Sequence, residues 1–188
     1  DDSSEKFLLA YSAAKTVCCP KSVTILGWLW NCGKLQASPH RLSALEAADL
    51  PSTVKQLRSY IGSYKFLSRV ISSYSDVLNP LDEIVAGRTS SEKISWSDSL
   101  INAFRMSQKQ LSSATIITLP RQDDQLQIIT DASQSKSGIA ATLYIIRQGQ
   151  PSVAGFFNAK VRPHQVKWLP CEIEALCIGA AVSHFGAE

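Results

Sequence analysis

Several things are scarce in this sequence, and each scarcity removes a class of protein. Only five cysteines occur (Cys18, Cys19, Cys32, Cys171 and Cys177). Their odd count and irregular spacing exclude a disulfide framework of the kind that staples small secreted domains. Cys18 and Cys19 are adjacent, a poor chelate geometry, and His40, His164 and His184 do not join the cysteines at zinc spacing. Reduced thiols of this kind point to an intracellular setting. No apolar run approaches the roughly 18 residues needed to span a bilayer, so no membrane partner is expected. The acidic opening DDSSEK is not a signal peptide. Neither an internal repeat nor a low-complexity segment is present, and no motif calls for a small-molecule cofactor.

What is there is an ordinary globular composition: 188 residues, 45% hydrophobic, with a net charge of only +3. That length suits one domain or two small ones. The charge is unevenly spread. Between Lys34 and Arg69 lie six basic residues (Lys34, Arg41, Lys55, Arg58, Lys65, Arg69) against Glu46 and Asp49. The opening DDSSEK and the closing HFGAE both read as cut edges of a longer chain.

The periodicity changes along the chain. Ser4 to Ala14 reads as a short helix, and VTILGWLWNCGKLQAS as a β-hairpin turning at Asn-Cys-Gly. A long helix is predicted from Pro51 to about Ser73, with Val54, Leu57, Tyr60, Ile61, Tyr64, Leu67 and Ile71 at three- and four-residue spacing. LNPLDEIV predicts a second helix starting near Pro80, and WSDSLINAFRMSQKQLSS a third. Then the period shortens. TIITLP, LQIITD, SGIAATLYII and PSVAGFFNAK read as strands, the last three as a meander, before LPCEIEALCIGAAVSHF returns to helix. The fold class is therefore α+β: a hairpin and three helices followed by a β-β-β-α block.

Two carboxylates stand out. Asp131 ends the apolar run LQIIT, and Glu174 heads a stripe made with Ile178, Ala181, Val182 and Phe185. Glu172, roughly 200° around that helix, should see more solvent. A carboxylate on a packing face is costly unless paired or coordinated. Two of them, on a strand and on the helix packing against it, could share a hard cation such as Mg²⁺. Each also has a plain reading: Asp131 as a turn residue capping the following backbone, and Glu174 as a first-turn acid favoured by the helix dipole. On the Pro51–Ser73 helix, Lys55, Arg58, Lys65 and Arg69 fall within about 80° of arc that also includes Gly62. Such a stripe can track a phosphate backbone or be a solvated face.

IITDASQSKSGIAATLY, AGFFNAKV and LPCEIEALCIGAAVSHF together resemble the start of the RNase H domain of retroelements, and more narrowly the Pol polyprotein of Gypsy-type LTR retrotransposons. Upstream, VTILGWLWNCGKLQASPHRLSAL resembles the end of the reverse transcriptase palm with its primer-grip hairpin. LPSTVKQLRSYIGSYKFLSRVI resembles the thumb, and ISWSDSLINAFRMSQKQLSSATIITLP the connection. The resemblance implies a palm end over 1–50, a helical thumb and connection over 51–125, and a truncated RNase H-like domain over 126–188. It makes Asp131 and Glu174 catalytic carboxylates and Mg²⁺ ligands in RNA cleavage. It gives Lys55, Arg58, Gly62, Lys65, Arg69, Gly27 and Trp28 contacts to a primer–template duplex or RNA–DNA hybrid. The other segments of the polyprotein are further implied partners, in a cytoplasmic particle or the nucleus. The family's later aspartates have no counterpart here, and Asp1-Asp2 lacks the strand and aromatic residue of a polymerase motif. Nucleic-acid binding without cleavage is therefore expected of this chain, and a domesticated or degenerate interaction module is the alternative.

Overall fold

The computed structural model describes residues 16–133 and 138–186. The expected Ser4–Ala14 helix and the Asp1-Asp2 pair lie outside those residues. The predicted hairpin is a three-stranded meander: β1 (Ser22–Ile25), β2 (Trp28–Asn31) and β3 (Lys34–Ala37). The missed turn is Leu26-Gly27, where both residues have positive φ (52° and 84°), as does the Cys32-Gly33 turn (47° and 78°). Paired positive φ values are what a tight two-residue hairpin turn demands. Leucine is an unusual residue there, which is why the sequence read as one continuous strand.

Ser38 then caps α1 (Pro39–Glu46): its hydroxyl accepts from the Arg41 N–H at 3.3 Å, and Pro39 occupies the first turn. This helix was not anticipated, although the Ser-Pro start signal is present. α2 (Val54–Lys65) is shorter than predicted. It starts behind a capping box, in which Thr53 Oγ1 accepts from Gln56 N and Gln56 Oε1 accepts from the Ser52 and Thr53 N–H groups. It stops at Phe66, and a short 3₁₀ turn follows over Ser68–Val70. α3 (Tyr74–Val85) begins six residues before the expected Pro80, which sits inside it. Burial of Leu78, Leu81 and Val85 on one face offsets the backbone hydrogen bond that proline cannot make. α4 (Asp98–Gln110) follows its predicted course. The two-residue strand β4 (Ile117–Thr118) returns to pair with β3 and closes a sheet of order β1-β2-β3-β4.

Leu57, Tyr64, Leu67, Phe104, Leu111 and Ile117 lie at the centre of the larger core, which α2, α3, α4 and this first sheet share. Its polar groups are satisfied internally. The buried Ser107 hydroxyl donates to Phe104 O (2.7 Å) and so accepts from Tyr60 Oη (2.7 Å). Gln108 Nε2 reaches the carbonyls of Leu45, Glu46 and Ala48 (2.8–3.1 Å), which ties α4 to the end of α1. Trp96 anchors the start of α4, with its Nε1 donating to Pro51 O at 2.8 Å.

The second sheet is the expected antiparallel meander of β5 (Gln125–Ser133), β6 (Gly138–Arg147) and β7 (Gln150–Lys160). One face is covered by α5 (Pro170–Gly186) through Ile173, Cys177 and Ala181. The other face meets the first region: Tyr74 Oη donates to Asn158 O, and Lys160 pairs with Glu83 at 3.0 Å.

Candidate functional site

Asp131 sits on β5 opposite Ala140 of β6, which in turn faces Asn158 of β7. The neighbouring row, Ala132–Ile139–Ala159, belongs to the cluster that α5 covers. Strand alternation therefore assigns Asp131 to the face turned away from α5. There it is exposed rather than buried, and it lines a cavity of about 200 Å³ with Ser73, Ser75, Asp76 and Asn158. Behind it, the Cys177 thiol donates to Asp131 O (3.5 Å) and Ala140 O (3.3 Å), so α5 is fastened to the backbone of this strand. Burial is the main reason the Cys177 pKa is pushed up, which keeps it a thiol.

Glu174, expected at the head of the buried stripe of α5, is not on its packing face. The packing face of α5 is Ile173, Cys177 and Ala181, and Glu174 is exposed beside it. Ile178 and Val182, expected to be buried, are each 54% exposed. α5 is apolar on most of its circumference, so periodicity could not choose the stripe. Cys177 fills the role of a small apolar side chain. Glu172 accepts from the Leu169 N–H at 2.8 Å and so closes the first turn. Among the described residues, no group of three or more His, Cys, Asp and Glu side chains is placed to hold a metal ion. Asp131 and Glu174 thus gain no third donor among the described residues, and two carboxylates alone are an incomplete Mg²⁺ cage.

The basic stripe is divided by the end of α2. Arg58 donates to Val85 O (2.8 Å), Arg88 O (2.7 Å) and Ser90 Oγ (3.3 Å), and thereby caps the C-terminus of α3. Lys65 pairs with Asp82 at 2.8 Å. Arg69 lies on the 3₁₀ turn rather than the helix, against Gly155 of β7, where an added Cβ would come 3.7 Å from its Cγ. Lys55 and Gly62 stay exposed on α2.

The hairpin residues do come together. Trp28 is half-buried with its ring 5.1 Å from that of Phe66, and the Arg41 guanidinium lies 4.2 Å over the same Phe66 ring. A Cβ on Gly27 would fall 2.5 Å from Arg41 Nε. Phe66 was read only as part of a helix and Arg41 only as a charge. Nothing local links two residues from different helices to one turn.

Residues 96–187 match the RNase H-like domain found in reverse transcriptase. The chain is 24% identical over 161 residues to the Pol polyprotein of Feline endogenous virus ECE1, covering 85% of this chain and 15% of that protein. It is 23% identical over 164 residues to the retrovirus-related Pol polyprotein from transposon opus of Drosophila melanogaster, covering 83% of this chain and 16% of that protein. The foamy viral protease-reverse transcriptase, solved in complex with RNA/DNA hybrid, superposes with a TM-score of 0.77 at 15% identity, covering 91% of this chain and 23% of that one. The chain thus spans about a sixth of these two relatives. Viral and transposon relatives are equally similar, so these identities do not single out a Gypsy-type origin. The chain is a homologue of the reverse transcriptase–RNase H region of retroelement Pol polyproteins.

Proposed function

We propose that this chain supplies the duplex-binding part of a Gypsy-type Pol polyprotein. In this reading the palm ends within residues 1–50, the thumb and connection occupy 51–125, and an RNase H-like unit occupies 126–188. The observation that carries the reading is the fold shared with a reverse transcriptase solved on an RNA/DNA hybrid. The ligand is an RNA–DNA hybrid or primer–template duplex, bound through Gly27, Trp28, Lys55 and Gly62. Arg58, Lys65 and Arg69 position the helices beneath it. The parent polyprotein carries RNA-directed DNA synthesis and Mg²⁺-dependent RNA cleavage, to which Asp131 and Glu174 are this chain's candidate carboxylates. Their placement supports binding without cleavage for the chain itself. The five free cysteines support an intracellular setting.

The test is a titration of a labelled RNA–DNA hybrid at low salt, paired with a cleavage assay in Mg²⁺. Binding that weakens steeply with salt, without cleavage above background, is expected. Undetectable binding at low salt would sink the reading. Robust cleavage abolished by Asp131→Asn would overturn the non-catalytic half of it. The absence of a three-donor cluster among the described residues also favours a second reading, a domesticated or degenerate module that engages nucleic acid or protein without chemistry. Binding of single-stranded and hybrid probes with equal affinity would favour that alternative.

A further inference from the structure

We propose that Arg41 is a phosphate ligand for the bound nucleic acid. Its guanidinium is stacked on Phe66 and seated against the Gly27 turn, ready for a backbone phosphate oxygen of a duplex lying across the β1–β2 hairpin. This rests on the duplex-binding reading above and adds to it the group that meets the phosphate.

Three observations converge. First, the guanidinium is held as a plane: its Cζ sits 4.2 Å from the Phe66 ring centroid, and Phe66 is itself braced by Trp28 at 5.1 Å. Stacking engages the face of the guanidinium and leaves its edge N–H donors directed outward. Second, the seat requires glycine. Gly27 has φ +84°, and a Cβ there would lie 2.5 Å from Arg41 Nε and 2.8 Å from Cζ. Any side chain at this turn would displace the guanidinium. Third, those donors are unspent. Among the described residues the Arg41 guanidinium makes no hydrogen bond or ion pair, and its one recorded partner is the Phe66 ring. Arg58 and Arg147, in contrast, commit their donors to carbonyls and to Asp124.

A planar cation fixed by packing but lacking an acceptor suits an anion with several oxygens in fork geometry. Phe66 remains 39% exposed, so the stack is reached from solvent. The surrounding segment from Lys34 to Arg69 is the basic part of the chain. Phosphate oxygens of a strand passing the turn supply the missing acceptors without sequence preference.

The test is anisotropy of a labelled RNA–DNA hybrid with the full chain over a salt series, with circular dichroism to confirm folding. Arg41→Ala should weaken binding about fivefold at low salt and lower the slope of log affinity against log salt by about 0.9, the share of one phosphate. Gly27→Ala and Phe66→Leu leave the charge unchanged and should each weaken binding by about twofold or more, because the guanidinium loses its seat. Arg41→Lys should recover only part of the loss. Arg105→Ala, an exposed arginine on α4, serves as the charge control. Equal affinity and slope for Arg41→Ala and Arg105→Ala would overturn the proposal and leave duplex binding intact. So would full binding by both Gly27→Ala and Phe66→Leu, which also decide the matter should Arg41→Ala fail to fold. No binding by the unaltered chain removes the duplex-binding reading itself.

Discussion

The α2–α3–α4 core and the β5–β7/α5 block both cover one apolar face of their elements, but they finish the task to different degrees. In the first, fully buried Leu57 and Tyr64 of α2, Leu81 of α3 and Phe104 of α4 meet from three helices. The polar groups among them pair with one another: Tyr60 with Ser107, and Gln108 with three carbonyls. In the second, the core is split into two small clusters around Cys177 and Ile145, and Ile178, Val182 and Leu169 face solvent on the helix or its entry. An interior with interlocked volume and matched hydrogen bonds leaves few alternative packings. A helix apolar on both sides, with only one side used, can be re-faced at little cost. The comparison locates rigidity in the first region and adaptable surface in the second.

The most severe way to break the first region is Phe104→Ala. It removes a fully buried ring packed on Tyr60 and Trp96, and should cost about 3–5 kcal/mol in denaturant unfolding. Gln108→Ala should cost about 2–3 kcal/mol, because it strands buried carbonyls at the end of α1. A loss below 1 kcal/mol would mean that water replaces the amide and that the polar network is not part of the rigidity. Thr53→Ala, which removes the α2 cap, should cost about 1 kcal/mol by the same measurement. In the second region, Ile178→Ser and Val182→Ser should each change stability by less than about 0.5 kcal/mol. A loss above 1.5 kcal/mol, dependent on protein concentration, would show that this face is buried in an assembly and would erase the contrast.

An acid titration probes the joint between the two regions. Arg147, which also donates to Leu119 O, holds the Asp124 carboxyl down at about 2. The folded pKa lies below the unfolded one near 3.9, so this pair stabilises the fold above about pH 4, and the contribution is lost as pH falls toward 2. Asp124→Asn should therefore flatten the fall in stability between pH 4 and pH 2. An unchanged acid profile would place the acid sensitivity elsewhere.

Much of the architecture could be read from particular residues. Val54, Leu57, Ile61 and Tyr64 announced α2, and alternation announced the β5–β7 meander, because both periods follow directly from backbone geometry. Other features were hidden for local reasons. Leu26 adopts a left-handed turn that leucine rarely takes, so β1 and β2 were fused in the reading. Pro80 looked like a helix start because the burial that carries α3 through it is supplied by other elements. Candidate residues divided in the same way. Asp131 was correctly placed on its strand by pattern, but the face it occupies depends on register, and a one-residue shift reverses it.

By itself the sequence determined that α2, α4, α5 and the β5–β7 meander exist, that the chain is α+β, and that its cations gather between Lys34 and Arg69. Those are properties of neighbours along the chain. Only the tertiary structure decided which charges are spent and which are offered. Arg58 and Lys65 find acceptors on α3 and the loop after it, far away in sequence, whereas Arg41 meets a ring from the end of α2 and a glycine turn but no acid. Hydrogen bonding and stacking act over a few ångströms, so the partner of a side chain is fixed by the packing of whole elements and not by spacing in sequence.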